Sequence, residues 1–110
     1  MTRFLKKPYV AGKIGLLPLV KRDFEKGRAA GLYFLCVFPE KDGSMMEIIL
    51  GKDLHKGYYG LMYTIVGIAD NEYGALGLVH EIFSDFCADF INFSHDDFKY
   101  FKPWILEGRK

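Results

Sequence analysis

Between residues 75 and 94 the apolar side chains Val79, Ile82, Phe83, Phe86, Phe90 and Phe93 recur at spacings of three and four. That period lines one stripe of an α-helix and matches neither face of a strand. A stripe so aromatic must be covered by a second layer, which makes this helix one wall of a packed domain. Burying its four phenylalanines contributes on the order of 6–12 kcal/mol as an upper bound, before entropy is charged against it. Glu81, Asp85, Asp89 and Asn92 then fall on the opposite side, giving a hydrophobic inner face and an acidic outer one.

The rest of the chain supplies the second layer. Residues 32–38 (LYFLCVF) and 61–69 (LMYTIVGIA) are apolar on both faces and read as central strands. Residues 45–50 (MMEIIL) read as the antiparallel partner of the first, joined to it through the turn Pro39-Glu-Lys-Asp-Gly43. A further short strand is expected near residues 13–17. Pro18 suits the first turn of a helix over 18–29, whose inner face would be Leu19, Val20, Phe24 and Ala29. Residues 51–60 read as a polar, flexible connection carrying Tyr58 and Tyr59. The aromatic end, 98–106, reads as a short helix or strand stopping before Pro103. The expected fold is α+β: an antiparallel sheet of three to five strands packed against one long amphipathic helix at about 75–94, with a shorter helix near 18–29. With 110 residues, half of them hydrophobic, residues 1–110 suit a single globular domain.

Composition excludes several roles. No apolar stretch approaches the ~20 residues needed to cross a bilayer. Ala11 to Val20 is broken by Lys13 and Pro18, so no export signal is read, and a cytoplasmic location is expected. A net charge of +1 gives no reason to expect nucleic acid or membrane as partner. Phe4 and Tyr9 stand among the N-terminal bases, but these are few. Cys36 and Cys87 lack C-x-x-C spacing and read as buried reduced thiols.

Candidate chemistry fails on spacing. His80-Glu81 opens like H-E-x-x-H, but position 84 is Ser. His95-Asp96-Asp97 is the densest cluster of titratable groups, yet such a run after a helix is ordinarily solvated. Gly74-Ala-Leu-Gly77 precedes the long helix but matches no phosphate-loop pattern, and Asp70 and Glu72 beside it would repel an anion. Cys87 and His80 lie about two helical turns apart, too far for direct activation. The sequence points to no metal, no cofactor and no enzyme activity.

Charge is balanced in total and segregated along the chain. Residues 1–30 hold Arg3, Lys6, Lys7, Lys13, Lys21, Arg22, Lys26 and Arg28 against Asp23 and Glu25, a net of +6. Residues 70–98 hold Asp70, Glu72, Glu81, Asp85, Asp89, Asp96 and Asp97 with no Lys or Arg, a net of −7. One reading pairs the two regions within the fold, where exposed ion pairs contribute only about 0–1 kcal/mol each. The other turns the acids outward to a basic partner. Glu81–Asp85 and Asp85–Asp89 are like-charge pairs at i, i+4, each unfavourable by roughly 0.2–0.5 kcal/mol, and a face made only for solubility would alternate signs. The expected function is therefore a small intracellular protein-binding domain. By size and electrostatics the analogy is an inhibitor or bacterial immunity protein that neutralises a basic partner such as a toxin. Glu81, Asp85, Asp89, Asp96 and Asp97 would make the acidic contact, with Tyr58 and Tyr59 as aromatic anchors. The alternative is a small-ligand protein or enzyme with a His/carboxylate pocket between sheet and helix, built on His55, His80 or His95. A third reading is a homo-oligomer in which the basic end of one copy meets the acidic helix of another.

Overall fold

The computed structural model describes residues 2–40, 45–57, 62–89 and 99–108. In chain order these form β1 (Thr2–Ala11), α1 (Leu17–Glu25), β2 (Tyr33–Val37), β3 (Glu47–Leu50), α2 (Gly51–Gly57), β4 (Tyr63–Ala69), α3 (Glu72–Asp89) and α4 (Phe101–Pro103), which runs on into a π-turn at Trp104–Gly108. The class is α+β. Four strands lie in the order β1-β4-β2-β3.

The two strands that read as apolar on both faces, β2 and β4, take the centre of the sheet, and every residue of β4 is buried. They pair antiparallel, as do β2 and β3. The pairing of β1 with β4 is parallel, so the sheet is mixed where an all-antiparallel one was expected. The strand expected at 13–17 lies instead at Thr2–Ala11. Lys6-Lys7-Pro8 hides it in the sequence, because charge and a missing N–H read as a break. At a sheet edge that break is tolerated. Phe4 pairs with Ile65 and Tyr9 with Gly67, so residues 5–8 stand opposite Val66 alone and the ladder irregularity absorbs the proline. The same lysines and proline make a poor template for a further strand.

Alternate residues of β2 serve opposite layers. Phe34, Cys36 and Phe38 pack with Val20 and Phe24 of α1, Leu54 of α2, and Tyr63, Ile65 and Ile68 of β4. Leu35 and Val37 pack with Val66 of β4, Ala75, Leu78, Ile82 and Phe86 of α3, and Phe101, Trp104 and Ile105 of the C-terminal segment. The molecule thus has three layers, with α1 and α2 on one face of the sheet and α3 and α4 on the other.

Two segments differ from their sequence reading. Residues 51–57 form a helix where a polar loop was expected. Its first amides bond to Leu32 O at 2.7 Å and Ala30 O at 3.4 Å, and Leu54 is buried beneath it. A side chain at Gly51 would collide with the carbonyl of Ala29, so the glycine that looked like a loop marker is a point of close approach. At the other end, Pro103 does not stop the chain's last helix, since it lies in the first turn where a missing N–H costs nothing.

Candidate functional site on the α3 layer

The long helix begins one residue after Asn71, whose side-chain oxygen accepts the Gly74 N–H at 2.7 Å and caps the helix. Just before it, the Asp70 carboxylate is filled by local donors. The Lys13 N–H donates to Oδ2 at 2.9 Å, and the Asn71 amide donates to Oδ1 at 2.7 Å. Gly12, at φ +85°, lets the chain after β1 wrap this carboxylate, and a Cβ there would strike it. Asp70 is therefore a latch between the ends of β1 and β4. At the glycine-bearing helix start the Gly74 amide is taken by Asn71, which is itself held by Asp70.

The inner stripe of α3 is Ala75, Leu78, Ile82 and Phe86, with Val79 half-buried. Phe83, expected inside, is 36% exposed. Phe90 and Phe93 lie outside the described residues. The stripe is rotated from the expected one because small Ala75 and Leu78 fit against β4, where Gly67 admits Leu78 closely. That rotation moves two acids. Asp85 and Asp89 follow Ile82 and Phe86 by three residues, so they flank the buried stripe rather than oppose it. Each accepts a hydrogen bond from within the fold. The Tyr9 hydroxyl of β1 donates to Asp85 Oδ2 at 2.6 Å, and the Trp104 indole N–H donates to Asp89 Oδ2. Glu81 is exposed on the outer side of the helix. Of the other acids and anchors expected to meet a partner, Asp96, Asp97, Tyr58 and Tyr59 lie outside the described residues.

The outward side of α3 also carries an apolar set that the sequence reading passed over. Tyr73 is 88% exposed and Leu76 50% exposed. With His80, Phe83 and Cys87 they recur at spacings of three and four, a second stripe beside the buried one. The signal was in the sequence, but the larger phenylalanine stripe masked it. The helix therefore presents apolar groups on its outer side as well as its inner side, with Glu81 bordering them.

The bases of α1 lie away from the α3 layer. Arg22, Lys26 and Arg28 are exposed on or just after α1, and Lys21 rests over the Phe4 ring at 5.4 Å. α1 packs on the opposite face of the sheet from α3. Two layer spacings of ~10 Å each separate the helices, more than the ~8 Å Debye length at physiological salt. These cations do not neutralise the acids of α3. β1, which also carries N-terminal bases, does lie along α3, and the hydrogen bond it makes to Asp85 comes from the neutral phenol of Tyr9.

The remaining candidates are structural. Both cysteines are free. Cys36 is fully buried, and that burial, with Glu47 beside it, pushes its thiol well above the usual range, so it is inert as a nucleophile. Among the described residues no three His, Cys, Asp or Glu side chains cluster as metal ligands. His80 is exposed on α3. A cleft of about 360 Å³ lies on the other layer, lined by Ile14, Val20, Asp23, Arg28, Ala29, Gly31 and Leu32, and contains no histidine. Among the described residues no helix is long and apolar enough to cross a membrane. No family model, no curated protein and no solved structure matches the chain.

Proposed function

We propose that this chain is a protein-binding domain whose α3 layer receives a basic partner, in the manner of an inhibitor or immunity-type protein. The observation that supports it is the separation of charge by the sheet. α3 carries four acids and no Lys or Arg, while the α1 cations stand on the far side. An exposed apolar set bordered by acids suits an interface with an apolar centre and steering charge at its rim. Glu81 is the leading contact residue. Asp85 and Asp89 contribute charge from positions fixed by Tyr9 and Trp104. Asp96, Asp97, Tyr58 and Tyr59 belong to the same proposal.

The test is affinity capture with the purified chain as bait, at 0.1 M and 1 M salt, using wild type, Glu81→Lys and a far-side control, Lys26→Glu. A basic protein retained by wild type and the control, lost with Glu81→Lys and released by salt, is the expected result. Capture of the same proteins by Glu81→Lys as by wild type would remove the α3 layer from consideration.

A further inference from the structure

The two outer layers complement one another as well as any foreign partner. The outward crest of α1 carries exposed Leu19, Arg22 and Lys26, preceded by Leu16, which is 70% exposed. Their spacing of three and four places them on one side of the helix, away from buried Val20 and Phe24. The outward side of α3 carries exposed Tyr73, with Leu76 on one flank and Glu81 on the other. One crest is leucine with cations, and the other is aromatic and leucine with an acid. Within one molecule the sheet keeps them apart, so they can meet only between molecules.

We propose that the chain self-associates head to tail, the α1 crest of one copy seating on the α3 crest of the next. Because the two patches lie on opposite faces of the sheet, the contact is heterologous. Each added copy leaves one α1 crest and one α3 crest open, so growth does not stop at a two-fold dimer. Charge complementarity selects this occupant over a two-fold α3–α3 pairing, which would bring helices with four acids and no base together. A single helix on a single helix falls at the small end of interface sizes, so the association is weak and salt-sensitive. The proposal does not depend on a foreign partner. It shares the α3 crest with the one proposed above, so a basic partner and self-assembly would compete.

Sedimentation of the purified full chain over a concentration series tests it without any partner present. The average mass is expected to rise with concentration past the dimer at 0.1 M salt, and the apparent affinity to fall about tenfold or more at 1 M salt. Arg22→Glu and Glu81→Lys are each expected to hold the chain at monomer mass. Combined in one chain they swap the charges and restore assembly. Circular dichroism of every variant separates lost association from lost folding. A wild type monomeric throughout, a plateau at dimer mass, or a double variant no better than the singles would each overturn the proposal. A failed partner capture alongside successful self-assembly would count against the foreign partner alone.

Discussion

The two faces of the sheet are covered in different ways. On one, two short helices of 9 and 7 residues lie over a chain of aromatic contacts. Phe4 meets Phe24 edge-on at 5.9 Å, Phe24 meets Phe34 at 5.1 Å, and Phe38 meets Tyr63 at 5.6 Å. On the other, one 18-residue helix and the C-terminal segment share a cluster in which Phe86 meets Phe101 and Trp104, each at 5.4 Å. The hydrophobic content is comparable; the kinds of polar contact among the described residues differ. The α3 layer is tied at its flanks by Tyr9 to Asp85 and Trp104 to Asp89, and Lys102 donates to the Phe38 carbonyl at 2.8 Å. On the α1 layer Lys21 rests over the Phe4 ring, a cation–π contact of lower directionality, and the first amides of α2 bond to the carbonyls of Leu32 and Ala30. The difference teaches that acids on a helix can be both surface charge and fasteners. On the α3 side two rings lean on Phe86, which makes that cluster the one expected to lose more on truncation.

That comparison can be broken most directly in the cores. Phe86→Ala is expected to lower unfolding free energy by about 3–5 kcal/mol, because the side chain is fully buried and two rings lean on it. Phe24→Ala is expected to fall at the lower end of that range, and urea denaturation of both decides the order. A larger loss for Phe24→Ala would reverse the assignment of the tighter layer. Gly12→Ala comes next, at about 2–3 kcal/mol, since the positive φ is strained for alanine and the Asp70 latch must open. Melting of this variant, with Gly15→Ala as a positive-φ control having open space around it, separates backbone strain from the lost latch.

Smaller effects test the fasteners. Trp104→Phe is expected to cost about 1–2 kcal/mol, keeping most ring packing while removing the donor to Asp89. Tyr9→Phe is expected to cost roughly 0.5–1 kcal/mol, because water can replace the exposed bond to Asp85. If both are neutral, the polar ties do not distinguish the layers. The smallest effect at neutral pH is that of Cys36. Its buried thiol keeps its proton in the folded chain, whereas an unfolded thiol loses it above pH ~8.5. The folded state then binds more protons, so stability is expected to decline as pH rises beyond that point. Denaturation midpoints from pH 7 to 10 check this, and Cys36→Ala should remove that part of the decline. A thiol reagent at pH 8 should label half-buried Cys87 well before Cys36.

The α+β class, the central strands and the long helix are legible in the sequence because each depends on local pattern. Short continuous apolar runs rich in β-branched and aromatic residues favour central strands, and a three–four repeat favours a helix face. The largest side chains of α3 suggest a phase with Phe83 inside, whereas Phe83 is exposed. The actual phase follows from the fit of Ala75 and Leu78 against β4, a contact between segments distant in sequence. Glu81 was legible as an exposed acid because no apolar contact claims it. Asp85 and Asp89 were not legible as fasteners, since their donors, Tyr9 and Trp104, lie 76 and 15 residues away. Tyr73 and Leu76 were legible by spacing but overlooked beside the phenylalanines.

By itself, then, the sequence determined which segments must be buried and how charge is divided along the chain, because both are properties of residue order. The tertiary structure decided on which side of the sheet each charged segment lies. The connection from β1 through α1 to β2, which passes one face of β4, and the alternation of β2 side chains between layers put the cations of α1 and the acids of α3 two layers apart. The cations of α1 and the acids of α3, which look ready to neutralise each other along the chain, are kept apart by the sheet that both helices need to cover.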